Sequence, residues 1–240
     1  MNIWIFLWLI LAIIILGATF WSTIILYRQK SAWERFARMH KMTYKRGGLM
    51  ESPAVEGSIG QATVSVFSAQ RQNEDERKNR MMSVVEISLP HGMIDGGAAG
   101  TSEMLPFMRT LNTLRPMDVE HERWDPTYTL MARNQDTVRG YLTPDRVEAL
   151  AHILILKNAD ILVMFDGNQA VVRVETVDPM LQPAKLDKII KRILADGEKL
   201  AVGEEELQAI LAQALAQEES VEALSEENSG PSEKAEESDI

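Results

Sequence analysis

Cysteine is absent from all 240 residues. That excludes a disulfide framework, a thiolate nucleophile and any Cys-ligated zinc or iron–sulfur centre. The signatures of nucleotide and ester chemistry are missing as well. Gly92, Gly96, Gly97 and Gly100 lead into Thr101 and Ser102, but no Lys precedes the hydroxyl residues to meet a phosphate charge, so the stretch is no P-loop. Rossmann glycine spacing and a Gly-x-Ser-x-Gly elbow are also lacking. Basic residues are in deficit, 25 Lys and Arg against 35 Asp and Glu for a formal net charge of −10, which argues against a general nucleic-acid binder. No nucleic-acid partner and no cofactor are expected.

What is present is distributed unevenly. Residues 3–27 carry no charge and are rich in Ile, Leu and Trp. As a helix they would extend about 37 Å, enough to cross a hydrocarbon core of roughly 30 Å with some tilt. Trp4, Trp8, Trp21 and Tyr27 fall toward the two ends, where amphipathic rings favour the membrane interface. No Lys or Arg precedes the run and it is too long for a cleaved leader, so a membrane-spanning helix is expected instead. The following residues 28–46 hold seven bases (Arg28, Lys30, Arg35, Arg38, Lys41, Lys45 and Arg46) against the single acid Glu34. By the positive-inside rule the domain after the helix is cytoplasmic, and the chain is expected in the cell inner (plasma) membrane with its N-terminus outside.

Charge and periodicity divide the chain into a transmembrane helix (1–27), a basic juxtamembrane helix (28–46), an α+β cytoplasmic domain (47–202), an amphipathic helix (203–217) and a disordered acidic tail (218–240). Residues 203–240 contain 12 acids and one base. In the juxtamembrane block Trp33, Phe36, Ala37 and His40 share a helical face. Arg28, Lys30, Trp33, Arg35, Phe36 and Arg38 are assigned with the four aromatic residues above to the membrane interface, although docking of Trp33 and Phe36 on the domain core, with the basic residues only fixing topology, is the more ordinary reading.

Within the domain, β-like runs occur at 54–59, 62–69, 81–89, 127–133, 138–142, 160–165 and 169–175, and the first strands should form a meander. A charged loop is expected at 70–80 and a Gly-rich loop at 90–100. Helices are expected at 103–114, after Thr143-Pro144 with the Thr143 hydroxyl as cap, and at 186–200. Asp166-Gly167-Asn168 is a hairpin signal. Hairpins with helices beside them indicate an α+β fold with an antiparallel sheet.

Candidate chemistry is sparse. Asp118, Glu120 and Glu122 would share one face of an extended segment and could hold a hard cation such as magnesium or calcium, although a solvated loop or charged edge strand is the ordinary explanation. His121 and Asp125 stand beside them. Ten of the 13 Met lie between Met39 and Met131, where they serve as adaptable core filler more readily than as copper ligands. His91 and His152 are isolated. Ala18 with Ser22, and Thr19 with Thr23, are small-residue pairs through which two helices could approach to form a homo-oligomer. The expectation is a single-pass membrane-anchored protein that presents a non-catalytic binding or scaffold domain, its partners being the lipid bilayer and other membrane or cytoplasmic proteins. The alternative is a membrane-bound carboxylate- or metal-dependent enzyme.

Overall fold

The structure, a computed structural model, describes residues 3–48, 51–73, 76–167 and 169–228. A single helix, α1 (Ile3–His40), includes both the apolar run and most of the basic block. Among the described residues it is the one helix long and apolar enough to cross a membrane, and none of its apolar window is buried in the protein. This is consistent with membrane anchoring. Its last third behaves differently: Gln29, Ala32, Trp33, Phe36 and Ala37 recur at helical spacing and are all buried. The helix ends in a Schellman motif. Lys41 takes the left-handed conformation (φ 56°), its amide donates to the Arg38 carbonyl at 3.4 Å, and the Met42 amide reaches the Ala37 carbonyl at 2.8 Å. The basic block is thus not a separate helix: up to His40 it continues α1 without a break, and β1 (Thr43–Lys45) follows at once.

The remaining strands are β2 (Ala54–Ile59), β3 (Ala62–Asn73), β4 (Glu76–Ser88), β5 (Gly97–Gly100), β6 (Arg115–Met117), β7 (Thr129–Ala132), β8 (Asp160–Phe165) and β9 (Val171–Thr176). They form one sheet in the order β1-β2-β3-β4-β9-β8-β5-β7-β6, with every neighbouring pair antiparallel. Helices α2 (Leu105–Thr110), α3 (Gln135–Tyr141), α4 (Pro144–Leu154), α5 (Pro183–Leu200) and α6 (Glu204–Asn228) complete the fold. The α+β architecture expected from the sequence is present.

Five local expectations are corrected. The charged segment 70–80 is largely strand, since β3 and β4 continue as a long hairpin with Arg71 opposite Arg80. The Gly-rich segment ends in a central strand rather than a loop: Gly97–Gly100 is wholly buried between β8 and β7. A Cβ on Gly97 would stand 2.3 Å from a Phe165 ring carbon, so packing against that ring demands glycine there. Residues 138–142 are mainly helix α3, set by Asn134, whose side chain accepts from the Asp136 and Thr137 amides, both at 3.0 Å. Helix α4 starts at Pro144 as expected, but the Thr143 hydroxyl makes no capping bond. Helix α6 runs past the predicted end at 217, and the tail residues 229–240 lie outside the described residues.

Alternation along the strands gives the sheet two unlike faces. Val64, Val66, Val85, Ile87, Ile161, Val163, Val172 and Val174 point to one face and share a core with Trp33 and Phe36 of α1, Leu150 and Ile153 of α4, and Leu186, Ile190 and Ile193 of α5. On the opposite face Ala98, Met131 and Leu162 form a smaller cluster with Met104 and Met108, the latter from α2. Helix α2 covers that part, and beyond it the described residues leave a groove.

A candidate binding groove on the open sheet face

The open part of the second face forms a groove of about 1510 Å³. Its floor is built by strand register. On β9, Arg173 and Glu175 alternate with the buried Val172 and Val174, so both project into the groove. Glu86 of β4 and Leu162 of β8 lie opposite Arg173, while Asp160 of β8 lies opposite Glu175. Two carboxylates facing each other across a strand pair repel. Arg71 of β3 bridges them: its guanidinium pairs with Asp160 and stands 3.7 Å from Glu175, and also donates to the Glu103 carbonyl. Arg173 donates to Glu175 at 2.7 Å and to Glu86 at 3.3 Å, and its guanidinium carbon lies 5.8 Å from the Phe67 ring centre.

Burial pushes the Asp160 carboxyl above its ordinary value; Arg71 pulls it down, Glu103 and Glu175 add to the rise, and the net shift is upward. One wall carries Pro106 and Phe107 of α2, and the other Val177, Pro179 and Lys185. Phe107 and Val177 are 48% and 60% exposed, an apolar rim above a charged floor. At the rim Lys185 and the Met180 amide hydrogen-bond Asp178, outweighing its burial and lowering its pKa. The volume exceeds the roughly 300–1,000 Å³ of small-molecule pockets.

The residues singled out in the sequence occupy other places. Asp118, Glu120 and Glu122 are exposed on the irregular segment between β6 and β7. The chain turns at Glu122-Arg123, so the extended alternation that would have aligned three carboxylates does not occur. Glu120, His121, Glu122, Arg123 and Glu148 line a recess of about 570 Å³, but Asp118 is not part of it. Arg123 pairs with Glu148, and the Arg123 amide donates to His121 Nδ1 at 3.2 Å. Among the described residues no three His, Asp or Glu side chains are grouped to hold a metal ion. Asp125 closes a local turn, accepting from the Thr127 hydroxyl and amide, which lowers its pKa.

Of the residues assigned to the membrane interface, Trp4, Trp8, Trp21 and Tyr27 are 67–70% exposed on α1. Arg28, Arg35 and Arg38 are exposed and Lys30 is half-buried. Trp33 and Phe36 are corrections: both are fully buried in the domain core and present no ring to lipid. His40 stacks on Phe36 and approaches Asp187 of α5 at 3.0 Å, while His152 reaches Asp196 of α5 at 2.5 Å, so both imidazoles fasten helices.

Sequence reasoning missed the groove. Its one local signal is the Val-Arg-Val-Glu alternation of β9, which marks Arg173 and Glu175 as a polar face. It also missed a polar junction beside the core. Arg146 is 6% exposed, donates to the Tyr141 and Ala201 carbonyls and makes a two-pronged pair with Glu206 of α6 at 2.7 and 2.8 Å. The Tyr141 hydroxyl donates to the Leu200 carbonyl at 2.5 Å, and burial drives its pKa far upward. Comparison with protein-family models, curated proteins and solved structures finds no match to this chain.

Proposed function

We propose that this chain is a single-pass protein of the cell inner (plasma) membrane, with its N-terminus outside and its domain in the cytoplasm, and that it acts by holding a protein partner in the groove. The observation that carries the reading is the junction of anchor and domain. Tyr27 is 70% exposed at the end of the apolar run, yet Gln29 is 6% exposed and Trp33 fully buried in the same uninterrupted helix. Anchor and domain form one body without a linker, so whatever occupies the groove is held at a set height above the bilayer. The groove supports binding over catalysis because its charged side chains bond one another, and its apolar rim resembles the anchor residues of interfaces.

Orientation is testable because the chain has no Cys. Ser58→Cys, at an exposed site, should react with an impermeant maleimide only after the cells are opened; labelling of intact cells would reverse the topology. Partner binding is tested by placing a photo-crosslinking residue at Phe107 or at Glu120 in intact membranes. A discrete crosslinked product from Phe107 and none from Glu120 is expected. Absence of any product, together with purification of a partner-free monomer in detergent, would sink the binding reading.

A further inference from the structure

Because α1 is unbroken, the helix alone sets where the bilayer meets the domain. Gln29 is already packed against the domain two residues after Tyr27, or about 3 Å of axial rise. A headgroup layer is roughly 5–7 Å deep on each side of the bilayer. The part of the domain that touches α1 at this level therefore sits among headgroups. Two hydrogen bonds identify it: the Tyr44 hydroxyl donates to the Lys30 carbonyl at 3.2 Å, and Lys30 Nζ donates to the Gly48 carbonyl at 2.5 Å.

Arg46 lies between those two positions in the chain. The Tyr44 phenol has its pKa raised by burial and by Glu34, with Arg46 opposing the rise. Arg28 leaves the helix about 200° around from Lys30, so positive charge is presented on both sides of α1. Two neighbouring bases are matched, Arg38 with Glu34 at 2.5 Å and Lys45 with Glu56 at 2.7 Å, while the exposed Arg35 and Lys41 lie further along the chain from the apolar run. Arg28 and Arg46 are exposed and form no ion pair among the described residues.

We infer that the membrane-facing base of the domain, made by Arg28, Lys30 and Arg46, binds the phosphates of anionic phospholipid headgroups. Guanidinium groups suit this because their planar fork meets phosphate oxygens two at a time and is weakly hydrated. The inference rests on α1 spanning a bilayer, and it makes lipid charge a determinant of how firmly the domain is seated.

The test is a native mass spectrometry titration of the full chain in neutral detergent with phosphatidylglycerol or phosphatidylcholine. Wild-type protein should retain phosphatidylglycerol preferentially. R28Q/R46Q should bind it about 30-fold more weakly, the effect of removing two basic contacts at a membrane surface. The charge-matched R109Q/R139Q, whose sites lie on α2 and α3, should bind as wild type. An equal loss in that control would overturn the inference, as would no loss in R28Q/R46Q or displacement of the lipid by inorganic phosphate alone. Should R28Q/R46Q fail to fold, salt does the same work on the wild type. Raising it from about 0.1 to 1 M shortens the screening length from about 10 to 3 Å and should release the lipid; unchanged binding would overturn the inference. Equal retention of both lipids would refute the headgroup site while leaving the span intact, whereas retention of neither would refute both.

Discussion

On one face of the sheet Val64, Val66, Val85, Ile87, Val172 and Val174 are fully buried. From the other face of the same strands project Arg71, Glu86, Arg173 and Glu175, with side chains between 10% and 37% exposed. The first set is held by area removed from water and is indifferent to pH and salt. The second is held by charge pairs, whose net stabilisation is small because each group gives up hydration to form them. The contrast implies a graded division of labour: losses on the helix-covered face should cost the most stability, and losses on the open face should cost less stability and be felt in binding.

The largest effect should come from the covered face. Trp33→Ala removes a fully buried ring at the point where the anchor helix enters the core and should cost about 3–5 kcal/mol in denaturant unfolding of the full chain in mild detergent. Trp21→Ala, on the exposed part of the same helix, should leave that unfolding unchanged. Comparable losses from both would mean that the apolar run packs on the domain.

Next comes Arg71, on the open face. Arg71→Ala leaves Asp160 opposite Glu175 without the bridging cation and should cost about 1–3 kcal/mol by the same measurement. Adding Asp160→Asn should restore part of the loss, since it removes the repulsion. If the double variant is no more stable than Arg71→Ala, the bridge is not what Arg71 contributes.

Phe107→Ala should change stability by no more than about 0.5 kcal/mol, as expected of an exposed side chain outside the core. Retention of a partner should nevertheless fall sharply in a pull-down from solubilised membranes. A stability loss without a binding loss would make the rim a packing feature and dissolve the contrast between the faces.

The legible parts of the fold share one property: their local pattern and their tertiary role agree. The hairpin of β8 and β9, the stripe Leu186, Ile190 and Ile193 on α5, and Pro144 opening α4 are all readable because apolar spacing alone predicts which side is buried. Strand β5 is illegible for the opposite reason. Gly97-Ala98-Ala99-Gly100 has no β propensity, and its place in the sheet follows from rings and thioethers elsewhere that leave no room for larger side chains. The tip of the β3–β4 hairpin is polar throughout and resembles a loop. As for the groove, Arg71 and Asp160 are 89 positions apart and meet only through the register of β3, β4, β9 and β8. Residues 118–125 are dense in acids along the chain, but density along a turning segment does not place carboxylates on a common point.

The smallest expected effects are also the most diagnostic of the open face, because two acids of the same groove should respond to pH with opposite sign. The folded-state pKa of Asp160 is raised, chiefly by burial, so its contribution to stability is fully present below the ordinary carboxylate value of 3.8 and is lost as pH rises through the raised value. Asp178 is partly buried too, but Lys185 and the Met180 amide outweigh that and lower its pKa; its contribution is present above 3.8 and is lost as pH falls through the lowered value. Both groups are partly exposed, and each effect should stay below about 1 kcal/mol. Unfolding of the wild type, Asp160→Asn and Asp178→Asn should therefore be compared at neutral pH and near the ordinary carboxylate range. Acidification should favour the wild type over Asp160→Asn and disfavour it against Asp178→Asn. Slopes of the same sign would mean that the Arg71 bridge, and not burial, governs Asp160, and the groove floor would then be a rigid ion-pair lattice.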